Sequence, residues 1–148
     1  MIQERWCGNK GGRGTFAAGN AVPYTYEVNT NFSADGKYKG IKVLRGIDGT
    51  GKHGLPESSH SSTAYLKMNP DGTFNMMRIY DKNHNLRLEI AYHVEDQLGA
   101  GKILHYHTYG TSFSQNVKGT PDRTSGVVLH KNSRIFKKYR KYFKGISI

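Results

Sequence analysis

Residues 63–109 read TAYLKMNPDGTFNMMRIYDKNHNLRLEIAYHVEDQLGAGKILHYHTY, and this stretch decides the fold. Apolar and polar residues alternate in short runs separated by turn residues, which is the period of half-buried β-strands. The first turn, residues 69–72, has proline at its second position and glycine at its fourth, as a type I turn prefers. The stretch therefore predicts four sequential strands joined by short connections, an antiparallel meander. The predicted strands are residues 63–68, 73–80, 86–93 and 102–109.

Upstream of the meander, residues 22–28 (VPYTYEV) and 41–46 (IKVLRG) are two further β-prone runs. We expect the polar stretch between them, residues 29–40, to be a connection, and residues 47–62 to form a long loop. The glycine-rich opening has almost no periodicity. The sequence thus predicts a flexible lead-in over residues 1–21 and a single catalytic or RNA-binding domain over residues 22–148.

The C-terminal stretch, residues 131–144 (KNSRIFKKYRKYFK), has the spacing of an amphipathic helix, with Asn132 or Ser133 as its N-cap. Its apolar residues are Ile135, Phe136, Tyr139, Tyr142 and Phe143. The other face is basic throughout. We therefore expect an α+β fold in which an antiparallel sheet of about five strands carries a basic C-terminal helix packed on it.

Charge restricts the class of partner. Twenty-two Lys and Arg against eleven Asp and Glu give a formal net charge of +11, and the pI is about 9.8. Such a field attracts polyanions, RNA above all. The basic helix has no acidic residue to relieve repulsion between its cations, which favours an anionic partner over a merely solvated face.

Two further features exclude protein classes. A single cysteine cannot form an intrachain disulfide or an all-cysteine zinc site. No apolar run approaches eighteen residues, so we expect neither a signal peptide nor a membrane span, and no membrane partner.

A group of polar side chains is predicted on one face of the meander. His105 and His107 lie two apart on a strand and therefore project together. If Leu86, Leu88 and Ile90 face the core, the neighbouring strands add further side chains to the same, open face. These are Arg87, Glu89 and His93 from one strand and Arg78 and Tyr80 from the strand before it.

This group suits metal-independent RNA cleavage by the ribose 2′-hydroxyl, in which one imidazole accepts the 2′ proton and another protonates the leaving oxygen. A cation stabilises the phosphate in the transition state. The catalytic candidates are His93, His105, His107, Arg87, Arg78 and Tyr80. The candidates for substrate binding are His60, Lys137, Lys138, Arg140 and Lys141, and no metal ligand or cofactor is expected.

Two other interpretations remain open. The H-x-H pair with His93 on the neighbouring strand would also make a three-nitrogen zinc site of a zinc-dependent hydrolase. Alternatively, the chain is a non-catalytic nucleic-acid-binding or phage structural protein, for which the basic helix would suffice.

Several motifs between residues 54 and 109 carry a resemblance to a known group of domains. They are S-S-H-S at 58–61, N-P-D-G at 69–72, R-I-Y-D at 78–81, E-I-A-Y-H at 89–93 and L-H-Y-H-T-Y at 104–109. In this respect the chain resembles toxin-type domains of bacterial polymorphic toxins and phage minor head proteins. Many of these are grouped with the barnase, EndoU, colicin and RelE-like RNases.

The resemblance implies a small α+β RNase fold that cuts RNA, often tRNA, without metal. It also favours His93, His105 and His107 as working residues. A toxin of this kind would act in the cytoplasm after delivery from a secreted or phage-borne precursor, with an immunity protein as a further partner to consider.

Overall fold

The computed structural model describes residues 32–46, 54–56, 58–59, 61–110 and 123–146. The predicted lead-in, the predicted strand at 22–28 and His60 lie outside the described residues. In the described part, seven strands form one sheet, followed by a short helix. The strands are β1 (Phe32–Tyr38), β2 (Ile41–Gly46), β3 (Ala64–Met68), β4 (Phe74–Tyr80), β5 (Leu86–Val94), β6 (Lys102–Thr108) and β7 (Val127–Val128). The helix is α1 (Arg134–Tyr139), continued by a 3₁₀ turn, Arg140–Tyr142.

The strands lie in the sheet in their order along the chain, and all neighbours are antiparallel except the parallel pair β2 and β3. The α+β class and the four-stranded meander, β3 to β6, are confirmed. The prediction of about five strands is wrong, because the described sheet has seven.

Strand β1 lies in the stretch that we expected to be a polar connection. Tyr38 pairs with Ile41, so the turn consists of only Lys39 and Gly40. Their φ angles are 50° and 86°. Two positive φ values in a two-residue loop match the backbone twist of a hairpin. Residues 32–38 alternate only weakly between apolar and polar side chains. The tight turn pairs them with β2, and they therefore form a strand.

On one face of the sheet, the first core packs beneath the C-terminal segment. Its buried strand residues include Leu66, Met77 and Ile90, and Tyr142 and Phe143 belong to the same cluster. Phe74 and Phe143 meet edge to face, with ring centroids 5.0 Å apart. The predicted apolar stripe is thus confirmed as the packing face, which leaves the basic side chains in solvent.

Helix α1 is shorter than predicted. It begins after the N-cap Ser133, whose hydroxyl accepts a hydrogen bond from the Phe136 N–H at 3.2 Å. It ends early because the chain turns back to the sheet, where the Lys144 carbonyl accepts a hydrogen bond from the Phe74 N–H at 2.8 Å. That bond joins the C-terminal segment to the first residue of β4.

The opposite face of the sheet, which we expected to be open, is buried. A second core lies there, formed by Phe32, Leu44, Leu55, Tyr65, Met76, Tyr80, Leu86, Ala91 and Tyr109. Leu86 belongs to this core and not to that of Ile90, because the pairing of β4 and β5 shifts by one residue between Ile79 and Tyr80. Arg87 is the extra residue of that bulge. We call this the second face of the sheet.

No helix within the described ranges has both the length and the apolar composition that crossing a membrane requires.

A buried cluster of two histidines and a carboxylate

His105 and His107 lie side by side on β6, on the second face of the sheet. Each is only 3% exposed, and their ring centroids are 5.3 Å apart. The register pairs His105 with Ala91 and His107 with Glu89 on β5. The predicted common face of these residues is confirmed, whereas its predicted openness is wrong, because His105, His107 and Glu89 are all buried.

The hydrogen bonds of the two rings determine which nitrogen carries the proton. Nδ1 of His105 lies 2.7 Å from the Ile103 carbonyl oxygen, and Nδ1 of His107 lies 2.9 Å from the Thr124 carbonyl oxygen. A carbonyl oxygen only accepts, so each Nδ1 must be the donor. In the neutral ring, Nε2 then carries the lone pair.

Both Nε2 atoms point to the same carboxylate. Glu95 follows directly after β5, and its Oε2 lies 3.7 Å from Nε2 of His105 and 3.5 Å from Nε2 of His107. Its side chain is 27% exposed, so the group reaches solvent through Glu95. We call these three residues the histidine cluster.

Nε2 of His107 is buried, and no described residue forms a hydrogen bond with it. An unpaired buried polar atom costs about 1–3 kcal/mol of stability. A position that served only packing would favour a satisfied or apolar side chain. The unpaired nitrogen therefore points to a ligand or a reacting group.

Glu89, beside His107, belongs to a separate ion-pair network. Its carboxylate lies 2.7 Å from the Arg78 guanidinium and 3.0 Å from that of Arg123. Burial raises the pKa of Glu89, but the two arginines outweigh burial and hold the pKa below its ordinary value. Arg78 also donates to the Leu55 carbonyl at 2.7 Å, so this predicted catalytic residue ties a loop to the sheet.

The other predicted residues from these strands lie in different surroundings. Tyr80 donates to the Pro56 carbonyl, and Arg87 forms an ion pair with Asp81 at 2.8 Å. Nε2 of His93 lies 2.8 Å from Oδ1 of Asn75, and the His93 ring lies 6.4 Å from that of His105. Burial lowers the pKa of His93 below its ordinary value.

The basic residues of the C-terminal segment are all exposed, and they lie on the other side of the sheet from the histidine cluster. We call them the basic surface: Lys131, Arg134, Lys137, Lys138, Arg140, Lys141 and Lys144. The structure therefore does not bring Lys137, Lys138, Arg140 and Lys141 together with His105 and His107.

Sequence reasoning missed two residues of this region. Glu95 was assigned to a polar loop, although the β5–β6 hairpin register, which pairs Val94 with Lys102, places it at the start of the turn. Arg123 lies after a long interval with no periodicity, and no local signal connects it with Glu89. Its side chain is 49% exposed and is the solvent-facing cation of the network.

The geometry limits the acid–base chemistry that we expected. In-line cleavage by two imidazoles requires one proton transfer at the attacking oxygen and another at the leaving oxygen. The two Nε2 atoms instead converge on a single carboxylate oxygen. The cluster is therefore suited to bind or activate a single ligand or reacting atom, and not to transfer protons at two separate oxygens.

A scan against protein-family models, a search of curated proteins and a search of solved structures each gave no match to this chain.

Proposed function

We propose that this domain is an endoribonuclease and that its reaction takes place at the histidine cluster. One observation carries the proposal: two buried imidazoles direct their lone pairs at one partly exposed carboxylate. Groups of this kind are concentrated at functional sites, because burial of polar groups destabilises a fold unless they are all paired.

RNA is the proposed substrate because the charge of the chain and the chemistry of the cluster both favour a phosphodiester. The net charge of +11 concentrates polyanions near the protein. The solvent-facing guanidinium of Arg123, held by Glu89, is a donor for a phosphate on the same face of the sheet. The resemblance of the sequence to RNase toxin domains supports the same substrate class.

The division of roles differs from the one we expected. Both Nε2 atoms of the cluster converge on one carboxylate oxygen, so the cluster can serve one reacting oxygen. We assign it to the attacking 2′-oxygen. Protonation of the leaving oxygen then falls to a separate group. His93 is the candidate, because it lies on the same strand as Glu89 and its ring is close to that of His105.

Cleavage assays with designed substrates test this proposal. The substrates are end-labelled RNA, DNA of the same sequence, and RNA with one 2′-deoxy nucleotide at the main cleavage site. The variants are His105→Asn and His107→Asn, because asparagine can keep a donor at the Nδ1 position and lacks Nε2. His130→Ala is the matched control, since His130 is exposed and outside the cluster.

We expect cleavage of RNA by the wild type and the control, and a loss of at least about 100-fold in each asparagine variant, the usual effect of removing a positioned proton-transfer group. If the 2′-hydroxyl attacks, the deoxy position stays intact and so does the DNA. Full activity in both asparagine variants would refute the role of the cluster.

A second function, non-catalytic RNA binding, is favoured by the basic surface alone. It carries seven exposed cations in fourteen residues, with no acidic residue among them. Wild-type protein that binds the RNA and leaves it intact would support this function over the nuclease.

A further inference from the structure

We propose that Glu95, His105 and His107 form the binding site of one divalent transition metal ion, and that zinc is the ion that suits it best. The ligand geometry and the unpaired Nε2 of His107 support the metal site whatever reaction the domain catalyses. Only its part in RNA cleavage rests on the proposed function.

The type and separation of the ligand atoms fit zinc. Zinc takes imidazole nitrogen and carboxylate oxygen at about 2.0–2.2 Å. Two such ligands of a tetrahedral ion lie about 3.4 Å apart. The measured separations of the two imidazole nitrogens from the carboxylate oxygen are 3.5 Å and 3.7 Å. All three ligand atoms lie within 4.8 Å of one another, so a small shift would close the set around an ion.

The hydrogen bonds behind the rings are those of metal-binding histidines. A ligating histidine typically donates its second ring N–H to a carboxylate or to a backbone carbonyl, which fixes the ring and its tautomer. His105 and His107 do so through the carbonyls of Ile103 and Thr124. The Nε2 lone pairs of both rings are therefore oriented toward Glu95 in the metal-free protein.

The unpaired Nε2 of His107 is an independent observation. Only 3% of the residue is exposed, and the nitrogen makes no hydrogen bond with any described residue. A cation between this atom and Oε2 of Glu95 supplies the missing partner. The alternative is a protonated imidazole paired with Glu95, which would bind no metal, and titration with Zn²⁺ separates the two.

Space for the ion depends on Gly126. A Cβ atom at this position would lie 3.2 Å from Oε2 of Glu95 and 3.3 Å from Cε1 of His107. A side chain would thus press on two of the three ligands. The ion would enter at the partly exposed side chain of Glu95.

The coordination number indicates the kind of site. Structural zinc sites have four protein ligands, whereas catalytic sites have three and a fourth position for water. Three protein ligands, Glu95, His105 and His107, therefore correspond to the catalytic type.

Metal titration of the whole chain tests the site without reference to activity. Protein treated with EDTA and dialysed is titrated with Zn²⁺ by calorimetry, and with Co²⁺ while its visible absorption is recorded. We expect one equivalent of each metal, and for Co²⁺ the absorption bands of a low-symmetry site. No binding, or binding of unchanged affinity in both ligand variants, would overturn the proposal.

The ligand variants are His107→Asn and Glu95→Gln, and their matched controls are His130→Ala and Asp96→Asn. Asp96 is the exposed carboxylate next to Glu95 in sequence. We expect each ligand variant to bind Zn²⁺ at least about 10-fold more weakly, since even outer-shell changes have effects of that size. The controls should bind like the wild type. If His107→Asn does not fold, the partly exposed Glu95→Gln still decides the question.

Gly126→Ala adds a test that removes no ligand, with Gly54→Ala as its control because a Cβ at Gly54 meets nothing within 4 Å. We expect weaker Zn²⁺ binding in the first variant alone, and equal binding in both would contradict the geometry proposed here. RNA cleavage that survives EDTA would retain the nuclease and exclude a catalytic metal. One equivalent of bound zinc without cleavage would retain the metal site and refute the nuclease.

Discussion

At the scale of single residues, Glu89 is the buried carboxylate that neutralises the arginines on the second face of the sheet. It is 2% exposed and holds two arginines, of which Arg78 is itself largely buried. Glu89→Gln would leave the Arg78 cation buried without its counter-charge. Removing one partner of a buried pair destabilises a protein by about 3–5 kcal/mol.

Urea unfolding of Glu89→Gln measures this loss, and Asp81→Asn is the matched control. Asp81 also pairs with an arginine, Arg87, but both side chains are about one quarter exposed. Partly solvated pairs contribute about 1 kcal/mol or less. Similar losses in the two variants would show that burial does not decide the strength of these pairs.

The ionisation of Glu89 should also make the stability of the fold depend on pH. Because Arg78 and Arg123 lower its pKa in the folded state, the unfolded chain binds the proton first as the pH falls. The stabilisation is present above the ordinary glutamate pKa of about 4.3 and is lost as the pH falls through the lower folded value. We expect the Tm of the wild type to fall more steeply between pH 5 and pH 3 than that of Glu89→Gln. Parallel curves would contradict this.

At the scale of elements, the C-terminal segment reaches the sheet through a close contact at Gly145. Its φ is 81°, and a Cβ atom there would lie 2.4 Å from Cγ2 and 3.0 Å from Cβ of Thr73. Rotation of the threonine cannot relieve the second contact. A substitution at Gly145 should therefore weaken the packing of this segment against β4.

Comparison of Gly145→Ala with Gly40→Ala separates the cost of the steric contact with Thr73 from the cost of a positive φ angle. Both glycines have positive φ, but a Cβ at Gly40 meets nothing within 4 Å. We expect Gly40→Ala to lower the free energy of unfolding by about 1 kcal/mol. Gly145→Ala should lower it by about 1–3 kcal/mol more, because it also overpacks the contact with Thr73. Equal values from urea unfolding would mean that the C-terminal segment moves freely.

At the scale of the whole molecule, the basic surface and the histidine cluster lie on opposite sides of the sheet. If this domain cleaves RNA as we propose, a strand held by the basic surface must pass around the edge of the sheet to reach the cluster. We therefore expect the basic surface to contribute affinity and the cluster to contribute chemistry, with little coupling between the two.

Charge reversal of Lys137, Lys138, Arg140 and Lys141 tests this separation. RNA affinity should fall at least about 10-fold at low salt, and its dependence on salt should become shallower, because fewer counterions are released. KM should rise while kcat and Zn²⁺ binding stay unchanged. A salt dependence equal to that of the wild type would place the RNA elsewhere.

The sequence by itself determined the elements whose residues repeat with a regular period. Alternation along residues 63–109 is enough to define β3 to β6, and it places His105 and His107 on one face because side chains two apart on a strand point the same way. The spacing of aromatic residues likewise predicted the face by which the C-terminal segment packs. These features depend on neighbours a few positions away.

Only the tertiary structure decided what surrounds the histidines. The hairpin brings Glu95 to His107, and Arg123 reaches Glu89 across 34 positions. The fold also buries Glu89, His105 and His107 on a face that the alternation alone marked as polar. The bulge at Arg87 also moved Leu86 to that face, which no period predicts. Burial and convergence arise from contacts between distant segments, and the side-chain period of a strand specifies a face without specifying what covers it.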